Sequence, residues 1–223
     1  MTLAISRLNR VPADERGITI GDFLVPIRIG ERLSSRARHV ALVVAGAVLI
    51  ALTALISIKL PGNPVPVTGQ TFGVLVAGGA LGVRRGFLAT LLYVAIGVVG
   101  FPAFAEHKGG VGVIVSIQEG RLVLGATGGY LVGFLLASGI AGRLAELGWD
   151  RRLGGSVAAM LIGSVAIYAV GLPWLMAATG MSPADTVANG LTPFVLWDLL
   201  KLALAATVFP VAWWVVGHQP GER

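Results

Sequence analysis

Cysteine is absent from this 223-residue chain, which excludes disulfides, thiol nucleophiles and thiolate-held metals. Charge is scarce: Asp, Glu, Lys and Arg make up 13% of the residues, against roughly 25% in soluble domains. The histidines, His39, His107 and His218, are too far apart for metal-ligand spacing. No H-E-x-x-H, G-x-S-x-G or P-loop pattern occurs, so the chain has no recognisable hydrolase site and no ATP site of its own. Asp198 is the single acid inside a long apolar run, which leaves paired-carboxylate chemistry without a second member. These absences point away from an enzyme, a metal site or a resident cofactor.

Apolar residues are abundant instead, at 55% of the chain, together with 32 glycines. That composition suits lipid, where helices approach closely through small residues. A bilayer core about 30 Å thick needs roughly 20 apolar residues in a helix. Six runs qualify or nearly so: Val40–Ile58, Val67–Val83, Gly86–Ala105, Leu122–Gly142, a stretch within Leu153–Ala178, and Pro193–Val216. The Pro-rich stretch from Leu60 to Pro66 cannot continue a helix. The expected fold is therefore all-α, a six-helix polytopic membrane protein. Its expected parts are an N-terminal cytosolic segment over 1–39, a membrane domain over 40–217 and a short tail over 218–223. The N-terminal segment is Arg-rich but lacks the apolar core and cleavage site of a signal peptide. Within it, Ile18–Leu33 reads either as an interfacial helix or as a cytosolic tail.

Charge orients the bundle. With the N-terminus inside, the cytoplasmic segments hold thirteen of the seventeen Lys and Arg residues. The outer loops hold only Lys59, Lys108 and Arg121, and Lys201 falls within the last span. This is the positive-inside asymmetry, and it predicts an N-in, C-in protein. The net charge of +6 is then a matter of topology and lipid contact, not of nucleic-acid binding. Small-residue stripes at helical spacing predict close helix packing. They run through Gly86, Thr90, Tyr93, Gly97 and Gly100, through Gly125, Gly129, Gly133 and Ala137, through Gly155, Ala159 and Gly163, and through Ala47, Ala51 and Ala54. The last stripe reads either as internal packing or as a face for a partner protein.

Asp198 and Lys201 carry the chemistry. Three residues apart, they share a helix face, and each costs about 2.5–3.5 kcal/mol at a span centre. Counting from Pro193 places them about 7 Å and about 12 Å into the outer half of the membrane. They read either as a self-neutralising structural pair or as a solute site, in which the ammonium meets a carboxylate and the carboxylate accepts N–H groups. Thr68, Gln70, Thr71 and Phe72 follow the prolines on the same outer side, as a lid or as an ordinary re-entry loop. Thr127 and Tyr130, beside paired glycines, and Tyr93 are further candidates, with packing or interfacial anchoring as the other reading. Trp174, Trp197, Trp213 and Trp214 read as boundary or packing residues.

Several ordered motifs resemble the BioY biotin transporters. They are Pro64-Val65-Pro66-Val67-Thr68-Gly69-Gln70-Thr71-Phe72-Gly73-Val74-Leu75, Ala77-Gly78-Gly79-Ala80-Leu81-Gly82 with Arg85-Gly86, and Leu92-Tyr93 with Gly97, Gly100, Pro102 and Phe104-Ala105. Thr127-Gly128-Gly129-Tyr130-Leu131 with Gly133-Phe134 and the closing Asp198-Leu199-Leu200-Lys201 complete the set, which spans about residues 40–216. The resemblance implies a six-helix S component of an energy-coupling factor (ECF) transporter in the bacterial cytoplasmic membrane. Such a protein binds biotin from outside and works with a T component and two ATPase subunits. It implies biotin contacts from Asp198 and Lys201, a lid over Val67–Phe72, and T-component contacts on the first helix at Ala47, Ala51 and Ala54 or at Ala41 and Ala45. Three features depart from the family pattern: Ala126 where proline usually precedes T-G-G-Y, Gly69 where a larger apolar residue is common, and a longer loop over 106–120. Two rival readings remain, an S component for another small carboxylic vitamin and a membrane scaffold that binds no solute.

Overall fold

The computed structural model of the chain describes residues 19–24 and 34–216. After a single short turn of helix, α1 (Gly21–Leu24), come α2 (Ser35–Ala54), α3 (Gln70–Val98), α4 (Gly128–Glu146), α5 (Leu153–Thr179), the short α6 (Pro183–Gly190) and α7 (Thr192–Val216). Local chemistry sets the ends. Ser34 caps α2 by accepting from the Ala37 N–H at 3.2 Å, and Ser182 with Pro183 starts α6 in the same way. Gly180, at φ 69°, closes α5 in the left-handed conformation that glycine adopts freely.

Five of these segments are long and apolar enough to cross a membrane when Gln70–Val98 is counted once. That element is two helices. Gly82 breaks it with φ 80° and ψ 175°, and the chain turns back on itself. A Cβ on Gly86 would lie 2.7 Å from the Gly78 Cα, a contact that a straight helix could not make. Gln70 likewise hydrogen-bonds Tyr93, 23 positions away. The six-run reading therefore holds, with Arg84 and Arg85 at the reversal. Of the stripe glycines, Gly129, Gly133 and Gly163 pack closely on a neighbouring helix, whereas Gly100 faces open space and Gly125 and Gly155 meet loop backbone; glycines outside the stripes pack closely too. A Cβ on Gly78 would meet the Ser138 carbonyl of α4 at 2.5 Å, one on Gly133 the Ile167 backbone of α5 at 2.9 Å, and one on Gly142 the Gly82 carbonyl carbon at 2.5 Å. In the core, α4 lies between α3 and α5, α2 packs on α3, and α7 closes the bundle against α5 and α3.

The run boundaries needed correction. Leu122–Leu124 is not helical: Val115–Gln118 (β3) and Arg121–Leu124 (β4) form an antiparallel hairpin, and α4 begins only at Gly128. Its Glu119-Gly120 turn has φ 51° and 75°, the positive pair that a type I′ turn demands. The third run ends at Val98 rather than Ala105, and the first ends at Ala54. A second small ribbon, Ser57–Ile58 (β1) with Val67–Thr68 (β2), brackets the proline-rich stretch.

Of the N-terminal reading over Ile18–Leu33, only residues 19–24 are described, and the tail over 218–223 lies outside the described residues. The Asp22 carboxylate in α1 binds Arg85 at 2.7 Å, and Phe23 meets the Trp213 ring edge-on. Of the tryptophans, Trp197 and Trp214 are 42% and 71% exposed, as boundary residues are. Trp174 and Trp213 instead make internal hydrogen bonds, to the Gly125 carbonyl and the Asp150 carboxylate.

Candidate ligand-binding site

Where α3 begins and α7 begins, the bundle encloses a cavity of about 220 Å³. Three layers build it. The first is the ribbon β1–β2, whose connecting stretch places Pro64, Val65 and Pro66 on the cavity wall. Thr68 and Gln70 follow and are held firmly: the Thr68 hydroxyl donates to Gln70 Oε1 at 2.9 Å, Gln70 Nε2 donates to the Tyr93 hydroxyl, and Tyr93 donates to the Ala103 carbonyl at 3.1 Å. This chain of bonds ties the α2–α3 loop to both halves of the α3 hairpin and to the loop beyond. Buried polar groups so connected form a rigid wall.

The second layer is aromatic. Phe104, Tyr130, Phe134, Tyr168 and Phe194 line the cavity with Ile167 and Leu131 between them. Tyr130 and Tyr168 meet edge to face at 6.2 Å and 89°, and the Tyr130 hydroxyl donates to the Gly190 carbonyl at 3.0 Å. Gly128 and Gly129 have no side chain because Trp174 fills that space: a Cβ there would fall 2.9 Å and 2.2 Å from its side chain.

The third layer is charge. Lys201 Nζ lies 2.8 Å from Asp198 Oδ1, with side-chain exposures of 17% and 12%. The other carboxylate oxygen accepts from the Tyr168 hydroxyl. Lys201 lines the cavity, whereas Asp198 sits behind it, so the cavity meets an ammonium with its counter-charge at the back. A second charge cluster marks the rim. Glu106 binds Lys108 at 2.6 Å and Lys59 at 3.6 Å, which joins the α2–α3 loop to the loop that follows α3. The Lys108 hydrogen bond, with Lys59 adding its charge, holds the Glu106 carboxyl below the usual range.

The sequence-predicted residues divide. Thr68, Gln70, Thr127, Tyr130 and Lys201 line the cavity. Asp198 and Tyr93 stand one bond behind the wall. Phe72 packs half-buried against the core and is not a lining residue. On α2, Ala47 and Ala54 are 5% and 0% exposed. That conflicts with a partner-contact role for both, because the contact face must be open; Ala51 is half-buried, and Ala41 and Ala45 are exposed. Tyr168 was missed. Its signal was available: the chain has only three tyrosines, and a hydroxyl inside a span needs a polar partner. Among the described residues no group of His, Asp and Glu could hold a metal ion.

An aromatic cavity with one ion pair at its base and another at its rim, set in a helical membrane bundle, is the build of a membrane protein that captures a small polar solute. The model of the BioY family matches residues 28–218. The probable biotin transporter BioY of Pyrococcus horikoshii is 36% identical over 173 residues, 78% of this chain and 94% of that protein. The biotin transporter BioY of Thermotoga maritima is 37% identical over 151 residues, 68% of this chain and 82% of the relative. In fold, the chain is similar to the crystal structure of the S-component for biotin from an ECF-type ABC transporter. The TM-score is 0.69 at 21% identity, covering 84% of this chain and 95% of that one. The chain belongs to the BioY family and is a multi-pass membrane protein.

Proposed function

We propose that this chain binds biotin and takes it up across the cytoplasmic membrane as the substrate-specific S component of an ECF transporter. It is not an enzyme and uses no cofactor; biotin is its cargo. Energy comes from outside the chain, through a T component and two ATPase subunits. The observation that carries the reading is the Lys201–Asp198 pair set against a cavity of aromatic walls, in a chain whose relatives are named for biotin transport.

Each wall suits a part of biotin. Aromatic rings pack against its fused rings and aliphatic chain. The ammonium and the carboxylate behind it offer a donor and an acceptor for a ureido group or a carboxylate. Thr127 and the Thr68–Gln70 wall add polar atoms near the lid. The T component docks on the exposed stripe of α2 that carries Ala41 and Ala45, continued by Val48 and Leu52, which are 51% and 57% exposed. The orientation is N-in and C-in.

Titration of the purified chain with biotin is the test. Tight binding is expected, with Asp198→Ala and Lys201→Ala each weakening it by about 30-fold or more, the loss expected when one partner of a desolvated pair is removed. Wild-type affinity in both variants removes the assigned site. Equal affinity for an unrelated carboxylic vitamin removes biotin as the cargo.

A further inference from the structure

A second and larger cavity, of about 800 Å³, lies at the opposite end of the α3 hairpin, between α2 and the half-helix 83–98. Its walls are two apolar stripes at i, i+3, i+4 spacing. One is Val40, Val43 and Val44, and the other is Leu88, Leu91 and Leu92 with Ala95 beyond. Both helices start at the same end, so the groove runs outward from its mouth for about 16 Å along the half-helix. Large parts of it are open: Val40 is 61% and Leu88 48% exposed.

Charge gathers only at the mouth, and its pairing leaves a cationic surplus. Asp22 is taken by Arg85 at 2.7 Å. Glu146 is taken by the Val83 N–H at 2.9 Å and by Arg143 at 3.4 Å. Arg85 Nε donates to His39 Nδ1 at 2.8 Å, which leaves the His39 proton on Nε2 as a free donor. Arg84 at the mouth is exposed. So is Arg36, one turn before His39 and Val40 on the same stripe of α2. Neither arginine has a hydrogen-bond or ion-pair partner among the described residues. Such a groove fits an occupant with one anionic end and a long apolar remainder, and a basic pocket between membrane helices is a known seat for anionic headgroups.

We propose that this groove holds an anionic phospholipid, its phosphate between Arg36, His39 and Arg84 and an acyl chain along Val43 and Leu91. The site is separate from the stripe of Ala41, Ala45 and Val48, which lies about 120° around α2 at 3.6 residues per turn. It depends on the proposed function only for the leaflet: an N-in chain takes the lipid from the cytoplasmic side.

The test uses the full chain in nanodiscs of equimolar phosphatidylcholine and phosphatidylglycerol with matched acyl chains, followed by detergent extraction and native mass spectrometry. Wild-type protein is expected to retain phosphatidylglycerol in preference to phosphatidylcholine. Arg36→Gln or Arg84→Gln reduces that preference about fivefold, and the double variant about 25-fold. The melting temperature of the double variant in detergent stays at the wild-type value, because neither guanidinium bonds to the fold. Leu91→Trp fills the groove and abolishes retention with both arginines in place. Equal retention of the two lipids by the wild type overturns the site, as does undiminished preference in the double variant. A wild type that retains no lipid, with the groove protected only when another membrane protein is bound, overturns it as well and gives the groove to a helix.

Discussion

Tyr168→Phe is the most informative single change, because it deletes one oxygen and leaves the cavity shape intact. The ring keeps its edge-to-face contact with Tyr130. What goes is the hydrogen bond from the hydroxyl to Asp198. That bond fixes the carboxylate whose other oxygen holds Lys201 at 2.8 Å. A hydrogen bond to a charged group contributes about 1.5–3 kcal/mol, and the side chains of the pair are only 12% and 17% exposed, so little water takes the place of the lost donor. If biotin is read through the Asp198–Lys201 pair, the whole of that loss can appear in binding, as a Kd increase of about 10- to 150-fold. Calorimetric titration in detergent measures it, and the stabilisation that saturating biotin gives against heat should shrink in parallel. Asp198→Ala supplies the reference. Should Tyr168→Phe bind biotin like wild type while Asp198→Ala does not, Tyr168 does not position the pair, and the hydroxyl matters to folding alone.

Other consequences follow from local geometry. Asp150 is buried in the loop between α4 and α5, with Trp213 Nε1 on one oxygen at 2.8 Å and no partner on the other, and burial pushes its carboxyl up to about 6. A raised carboxyl stabilises the fold below its unfolded value and loses that stability as pH rises through about 6. Asp150→Asn should therefore melt like wild type near pH 4 and higher than wild type at pH 8, by up to roughly 3 kcal/mol; a variant less stable at pH 8 contradicts the sign. Gly82→Ala puts a Cβ 2.8 Å from Glu146 Oε1 at φ 80°. It should cost about 1–3 kcal/mol in thermal unfolding, whereas Gly154→Ala, with open space around it, should cost no more than a few tenths. Lys108→Cys should react with an impermeant thiol reagent added outside intact cells; labelling only in inverted vesicles reverses the proposed topology.

Much of the bundle was legible because lipid imposes a length: apolar runs of about 20 residues must span. The reversal at Gly82 was legible from Arg84 and Arg85, since two guanidiniums do not sit between spans without a turn. Hydropathy misplaced the ends for a physical reason. Leu122, Val123 and Leu124 are as apolar as any helix, and a short apolar run does not declare its period; the Glu119-Gly120 turn decides for a strand. Spacing placed Asp198 with Lys201, because three residues on a helix share a face. It could not join Tyr168 to Asp198, which lie 30 residues apart on different helices. Nor could it say which way α2 faces. Ala47, Ala51 and Ala54 form a stripe as good as Ala41 and Ala45. What turns the first inward is packing: a Cβ on Gly46 would meet Leu81 and Ala89, while Gly69 and Gly73 close on Thr53.

The charge layout also orients the proposed cargo. At the base of the cavity the ammonium of Lys201 already has its counter-ion, so the pair is close to neutral as a whole. A free carboxylate placed there would have to displace Asp198 from Lys201 or lie beside it, and two carboxylates at one ammonium repel. A ureido group fits better, since its neutral carbonyl accepts from Lys201 at no cost in charge while Asp198 stays paired behind it. The rim is different. Lys59 and Lys108 share the single Glu106, a net positive cluster open to water, and Glu106 and Lys108 reach the cavity itself. The valerate carboxylate belongs at this end, where it stays partly hydrated. Biotin amide should therefore bind only modestly more weakly than biotin, by roughly 1 kcal/mol or less, as for an exposed ion pair. A desthio analogue that keeps the ureido group should retain its dependence on Lys201. Asp198→Asn separates the two orientations. With the ureido group inside, it weakens biotin binding, because the carboxylate that holds the Lys201 ammonium in place is lost. With the carboxylate inside, it strengthens binding, because a repelling charge is gone. Tighter binding in Asp198→Asn, together with a loss of 100-fold or so for the amide, would turn the ligand end for end.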